Sequence, residues 1–198
     1  MAKARPFGDL PLTVEDFDVW NSEQTDDWEF VGGELVMAGE PSLNHTIIKD
    51  NILGALNAAL RGGPCRAFGE GVRVKNDDLS ARPDVTVSCS PLDHSTPTLA
   101  APVVIVEVTS PTTEGNDSRK WRWYRLIKSL QHFMTVGQEE QEVTLHTRVA
   151  PFEWQERVIR EGRVELATPG VALELSAIYA DTDVPVARSA ATPQVGSG

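Results

Sequence analysis

Two carboxylates at the ends of strand-like segments, followed by a lysine near the start of a helix, are what metal-dependent phosphodiester chemistry needs. Here they are Asp84 after Arg82-Pro83, Glu107 after the apolar run 103–106, and Lys120 within Asp117-Ser118-Arg119-Lys120-Trp121. A carboxylate that ends a buried apolar strand is costly unless it is paired or bound to a metal. Two such acids on neighbouring strands repel each other, and a divalent cation relieves that repulsion. The structural alternative is a pair of capping or ion-paired acids, with Arg82 or Arg119 as partners. Lys120 can steady an attacking hydroxide or the charge developing on phosphorus. It can equally form a salt bridge to Asp117 or Glu107.

Arg119, Arg122, Arg125 and Lys128 form the densest basic cluster, interleaved with Trp121, Trp123 and Tyr124. Guanidiniums beside aromatics suit phosphates and stacked bases; the other reading is a solvated helix face with its aromatics packed inward. Glu34 and His45 lie where either could reach the same cleft, although a histidine on an apolar stripe also serves as a hydrogen-bonded core residue. No G-x-S-x-G, H-E-x-x-H, Walker-type loop or dinucleotide fingerprint is present.

The elements that must position these groups follow from periodicity and punctuation. Thr13 is a candidate N-cap for a helix over 14–22, with acids at Glu15 and Asp16 in its first turn. Gly32-Gly33 between 28–31 and 34–37 signals a two-residue hairpin, with Glu29 between two large apolar residues. Ser42 opens a long helix whose stripe is His45, Ile48, Ile52, Ala55 and Ala59, closed by Gly62-Gly63-Pro64. The stretch 66–75 alternates and reads as one strand, bulged at Gly69 and Gly71. Strands are expected over 84–89 and 103–109, the second covered on both faces, with a loop over 90–101 between them. A turn over 110–116 leads to a helix over 118–128 capped by Asp117, on which Asp117, Lys120, Tyr124 and Ile127 share a line. Strands over 130–136, 142–149, 152–159 and 164–166 and a closing helix over 176–179 complete the chain.

These elements make one α/β domain over 12–182, a mixed β-sheet flanked by helices with added antiparallel strands in the C-terminal half. An N-terminal arm over 1–11 and a disordered tail over 183–198 flank it. A chain of 198 residues that is 40% hydrophobic and 24% charged suits one packed domain. Its net charge of −11 argues against a surface coated in basic charge, and leaves room for a local basic patch or a bound metal. Cys65 and Cys89 form no C-x-x-C and read as two small thiols in a reducing cytosol. No signal-peptide core stands in 1–14 and no apolar run spans a bilayer, so a cytoplasmic protein is expected.

At these residues the chain resembles the Uma-type group of predicted restriction endonucleases, within the PD-(D/E)XK nuclease superfamily. The resemblance is carried in order by Trp28-Glu29-Phe30-Val31-Gly32-Gly33-Glu34-Leu35-Val36-Met37, Pro41-Ser42 with His45, and Arg82-Pro83-Asp84-Val85. It continues through Val106-Glu107-Val108-Thr109-Ser110-Pro111-Thr112-Thr113, Asp117 to Lys120 and Tyr124, Ser129 to Phe133, and the helix near 175–179. It implies a restriction-endonuclease-like core, with Mg²⁺ (or Mn²⁺) held by Asp84, Glu107 and the Val108 carbonyl. The superfamily's lysine normally follows the second acid by two residues; Thr109 stands there, and the family pattern points instead to Lys120. Glu34 and His45 become accessory groups, Arg119 and Arg122 contacts to DNA phosphates, and the working form a homodimer matching the two-fold symmetry of duplex DNA. The other reading is a catalytically inactive module of the same fold that binds nucleic acid or a protein partner.

Overall fold

The computed structural model describes residues 13–37, 39–109 and 114–187, the side chains of 114–118 excepted. The expected arm over 1–11 lies outside them.

The chain opens with α1 (Val14–Asn21), where Thr13 Oγ1 accepts the Asp16 N–H at 3.1 Å. Then come β1 (Trp28–Val31) and β2 (Glu34–Met37), with the bounds that the glycine pair implies. Gly32 and Gly33 both have positive φ, at 59° and 87°, the requirement of a tight primed turn. In α2 (Leu43–Ala59), Ser42 caps by accepting the His45 N–H. Further along lie β3 (Arg66–Gly69), β4 (Arg73–Asn76), β5 (Leu79–Ala81), β6 (Val85–Ser88), β7 (Thr98–Leu99) and β8 (Pro102–Thr109). After α3 (Glu114–Tyr124) come β9 (His132–Gly137), β10 (Val143–Ala150), β11 (Glu153–Ile159), β12 (Arg163–Leu166), β13 (Val171–Glu174) and α4 (Leu175–Ile178).

Two sheets carry the fold. The larger runs β11-β10-β9-β8-β6-β3, antiparallel except for the parallel β8–β9 pair. The smaller runs β2-β1-β5-β4-β7, with β4 and β7 parallel. β12 and β13 form a separate hairpin. Helix α2 buries Ile48, Ile52 and Leu56 against Val85, Val87, Val104 and Val106 on one face of the larger sheet. On the other face, Tyr124 of α3 joins Ile105 and Phe133 to Val31, Val74 and Leu79 of the smaller sheet. The larger sheet is thus covered on both faces, as the unbroken apolar run before Glu107 requires.

Five expectations are corrected. The stretch 66–75 is two strands, β3 and β4, because the chain leaves one sheet for the other between them. The expected loop over 90–101 contains β7, paired to β4. The helix after β8 begins at Glu114 and ends at Tyr124, so Asp117 lies inside it rather than capping it. Its C-terminal continuation is replaced by turns whose carbonyls, of Arg125, Ile127 and Leu130, accept from the Arg148 guanidinium. Cys65 and Cys89 are joined in a disulfide; the register Arg66↔Ser88 makes them cross-strand neighbours. Finally, 183–187 packs on the domain: Val184 and Ala187 are buried, and Gln141 bridges to Val186. Among the described residues no helix is long and apolar enough to cross a membrane.

His132 is structural. It is buried at the start of β9, with Nδ1 3.1 Å from Thr147 Oγ1 and Nε2 accepting the Thr168 N–H at 3.3 Å. Burial pushes its pKa down to about 4. The unfolded chain, with an ordinary histidine, therefore binds this proton at higher pH than the folded one. Stability from His132 is complete above about pH 6.5 and is lost as pH falls towards 4. The loss expected is about 3 kcal/mol at 1.36 kcal/mol per unit. Urea midpoints at pH 7.5 and pH 4.5 for wild type and His132→Gln check it; the variant should lose less.

Candidate active site

Asp84 sits where the chain crosses between the sheets. β5 pairs with β1 in the smaller sheet, and three residues later β6 enters the larger one beside β8. Pro83 lacks an N–H and fixes φ, which suits a crossover with no ladder to join. The preceding Arg82 N–H donates instead to Glu29 Oε1 at 2.7 Å, and the Arg82 guanidinium pairs with Asp27 at 2.6 Å. Asp84 Oδ2 accepts the Val108 N–H at 2.7 Å and lies 3.3 Å from His45 Nε2. Ser42 caps α2 at the His45 N–H, so the residue whose imidazole meets Asp84 stands in the helix's first turn.

Glu107 stands one residue from Val108 on β8. The register Val85↔Val106 places it beside Asp84 at the same end of the β6–β8 pair. Its Oε1 accepts from Tyr124 Oη at 2.8 Å and lies 3.3 Å from Lys120 Nζ. Lys120 Nζ is closer still to Glu29 Oε2, at 2.8 Å. The spacing of Lys120 and Tyr124 puts both on the face of α3 that meets the sheet. Asp84, Glu107 and Lys120 are buried, at 9%, 4% and 8% relative exposure.

Asp84, Glu107, Lys120 and His45 thus come together at one end of the β6–β8 pair. The Val108 residue does so through its amide. Glu34 does not join them: it is an exposed partner of Arg119. Strand alternation does not separate the two acids: the register Val31↔Glu34 and Glu29↔Val36 puts both on one face of the hairpin. Glu34 stands at the exposed turn end and meets Arg119, while Glu29, two residues before Val31, is buried and meets Lys120. Arg122 is exposed on α3. Glu29 is the site residue missing from the sequence expectation. Its signal was a carboxylate between Trp28 and Phe30, but the ammonium it meets lies far along the chain.

The donor set suits a hard divalent cation. Three buried carboxylates gather here: Glu29 and Glu107 on the Lys120 ammonium and Asp84 beside His45. Asp84 Oδ2 is occupied, while Oδ1 has no partner among the described residues. No group of three or more His, Cys, Asp or Glu stands ready to hold a metal among them. Mg²⁺ commonly takes one or two carboxylates and keeps several waters, so Asp84 and Glu107 suffice as protein ligands.

Known proteins resemble this chain over most of its length. Uncharacterized protein slr1290 of Synechocystis sp. is 28% identical over 173 residues, covering 85% of this chain and 91% of that protein. Uncharacterized protein sll1609 of the same organism is 25% identical over 149 residues, covering 72% of this chain and 84% of that protein. Among solved structures, one described as "a putative nuclease belonging to DUF820", from Anabaena variabilis, superposes with a TM-score of 0.71 at 20% identity. It covers 85% of this chain and 98% of that one, a likeness of fold. The sequence profile described as "Uma2: Putative restriction endonuclease" matches residues 14–181, and this chain belongs to that family.

Proposed function

We propose that this protein is a Mg²⁺-dependent endonuclease that hydrolyses DNA phosphodiester bonds, with Mn²⁺ able to replace Mg²⁺. The observation that carries the reading is the placing of two buried acids, Asp84 and Glu107, side by side at the end of the β6–β8 pair. Two buried acids on neighbouring strands repel each other, and a divalent cation relieves that repulsion. Asp84 and Glu107 would hold the metal, with the Val108 carbonyl as a further oxygen ligand. When bound, the cation supplies Lewis-acid polarisation of the phosphoryl oxygen and a more acidic water. Lys120 holds the attacking water in line or stabilises the charge that develops on phosphorus. Asp84 is kept in place by the Val108 N–H and His45, and Arg119 and Arg122 lie on the same helix for flanking phosphates. A homodimer belongs to the same reading, since each strand of a duplex needs one site. Exposed Val149 and Phe152, beside Leu126, are apolar surface that such a contact would cover.

The test is nicking of supercoiled plasmid at micromolar protein with Mg²⁺, Mn²⁺ or EDTA. Wild type should nick with either metal and stop with EDTA, and Asp84→Asn should not nick. Metal binding without cleavage would instead make the chain a binding module of the same fold, the outcome that Thr109 at the superfamily's lysine position would explain.

A further inference from the structure

We infer that Glu29 is a positioning residue that gives the Lys120 ammonium a second seat, so that a divalent cation can take Glu107 without expelling the lysine. The inference rests on the metal site proposed above. Lys120 Nζ bridges two carboxylates from different sheets, 2.8 Å from Glu29 Oε2 and 3.3 Å from Glu107 Oε1. A cation arriving at Glu107 competes directly with this ammonium. Without Glu29, binding would take from a buried lysine the carboxylate that balances it, which is unfavourable. Glu29 lowers that penalty, because the lysine already leans on it and need move little.

Glu29 is itself fixed for this task. Its Oε1 accepts the Arg82 N–H at 2.7 Å, leaving Oε2 aimed at Nζ. Both oxygens are thus assigned, one to the backbone that enters Asp84 and one to the ammonium. The side chain is 6% exposed, so it meets the ammonium away from bulk solvent. One carboxylate ties the position of Asp84's strand to the position of Lys120.

The consequence is a sign pattern in metal affinity that a purely structural Glu29 would not give. Glu29→Gln keeps an acceptor for Arg82 but takes the nearer of two carboxylates from Lys120, which then leans more on Glu107, so Mn²⁺ binding weakens. Lys120→Met removes the competitor, so Mn²⁺ binding tightens although cleavage fails. In the Lys120→Met background, Glu29→Gln loses only its direct attraction for the cation. The expected changes are a rise in Kd of about 30-fold for Glu29→Gln alone and about 3-fold in the Lys120→Met background, a coupling typical of contacting residues.

Titration calorimetry with MnCl₂ on the full chain, for wild type, Asp84→Asn, Glu29→Gln, Lys120→Met and the double variant, measures this. Thermal unfolding confirms that each is folded, and Glu29→Asp, which keeps the charge but shortens the reach, serves if Glu29→Gln does not fold. Its Kd should lie between wild type and the 30-fold loss. Unchanged affinity in Glu29→Gln (or in Glu29→Asp where that stands in), equal effects in both backgrounds, or weaker binding in Lys120→Met overturns the inference while the metal site stands. Absence of Mn²⁺ binding by wild type, or undiminished binding by Asp84→Asn, overturns the metal site itself.

Discussion

Lys120→Met is expected to lower the rate of plasmid nicking by about 10²–10³-fold, the usual cost of removing one group that stabilises developing charge. The same change should destabilise the metal-free protein by about 3–5 kcal/mol, because it removes the ammonium that two buried carboxylates share. Glu29 would keep only the Arg82 N–H on one oxygen, and Glu107 would still accept from Tyr124. Saturating Mn²⁺ should then return much of that stability, since the ion replaces the missing positive charge. Nicking rates, with melting temperatures with and without Mn²⁺, check both parts. A variant that melts like wild type without metal would mean that the ammonium is not needed to balance these acids.

Gly32→Ala should destabilise the protein by about 3 kcal/mol, and its cause lies on the hairpin rather than in the site. A Cβ at Gly32 would stand 2.5 Å from Trp123 Cζ2, and the residue has φ of +59°. The left-handed backbone alone costs an alanine about 1–2 kcal/mol, and the indole must also shift. For a domain of this size the melting temperature should fall by about 6–12 °C. Trp123 is on α3, close to Lys120, so a displaced indole should also slow nicking. Gly33 has open space at the same test, which makes Gly33→Ala the control: it bears the backbone strain without the clash. Equal melting temperatures for the two variants would show that Trp123 yields freely.

Where one segment's own pattern decides its structure, the chain is legible. Helix α1 follows from Thr13 and its two acids, the β1–β2 hairpin from Gly32-Gly33, and α2 from Ser42 and the isoleucine stripe. Asp84 and Glu107 could be picked out because a carboxylate at the end of an apolar strand has so few inexpensive explanations. Features that depend on remote partners were not legible. The alternation through Gly69 and Gly71 continues from β3 into β4, although the two strands serve different sheets. Cys65 and Cys89 become neighbours only once β3 pairs with β6. Asp117 carries a capping signal, yet the helix starts at Glu114. Of the turn expected over 110–116, residues 110–113 lie outside the described residues, and 114–116 belong to α3. Glu29 and Glu34 are both acids of one hairpin, and only the packing of β1 against α3 decides which reaches Lys120.

The most direct measurement is an anomalous difference map from a crystal of the protein grown with Mn²⁺. The expected map has one peak between Asp84 and Glu107, with carboxylate oxygens of both at about 2.0–2.3 Å, the range for small divalent ions on oxygen, and with Lys120 Nζ moved towards Glu29. A map with no peak there at saturating Mn²⁺, and with Lys120 still shared between the two glutamates, would contradict it and leave these residues as a buried ion-pair network.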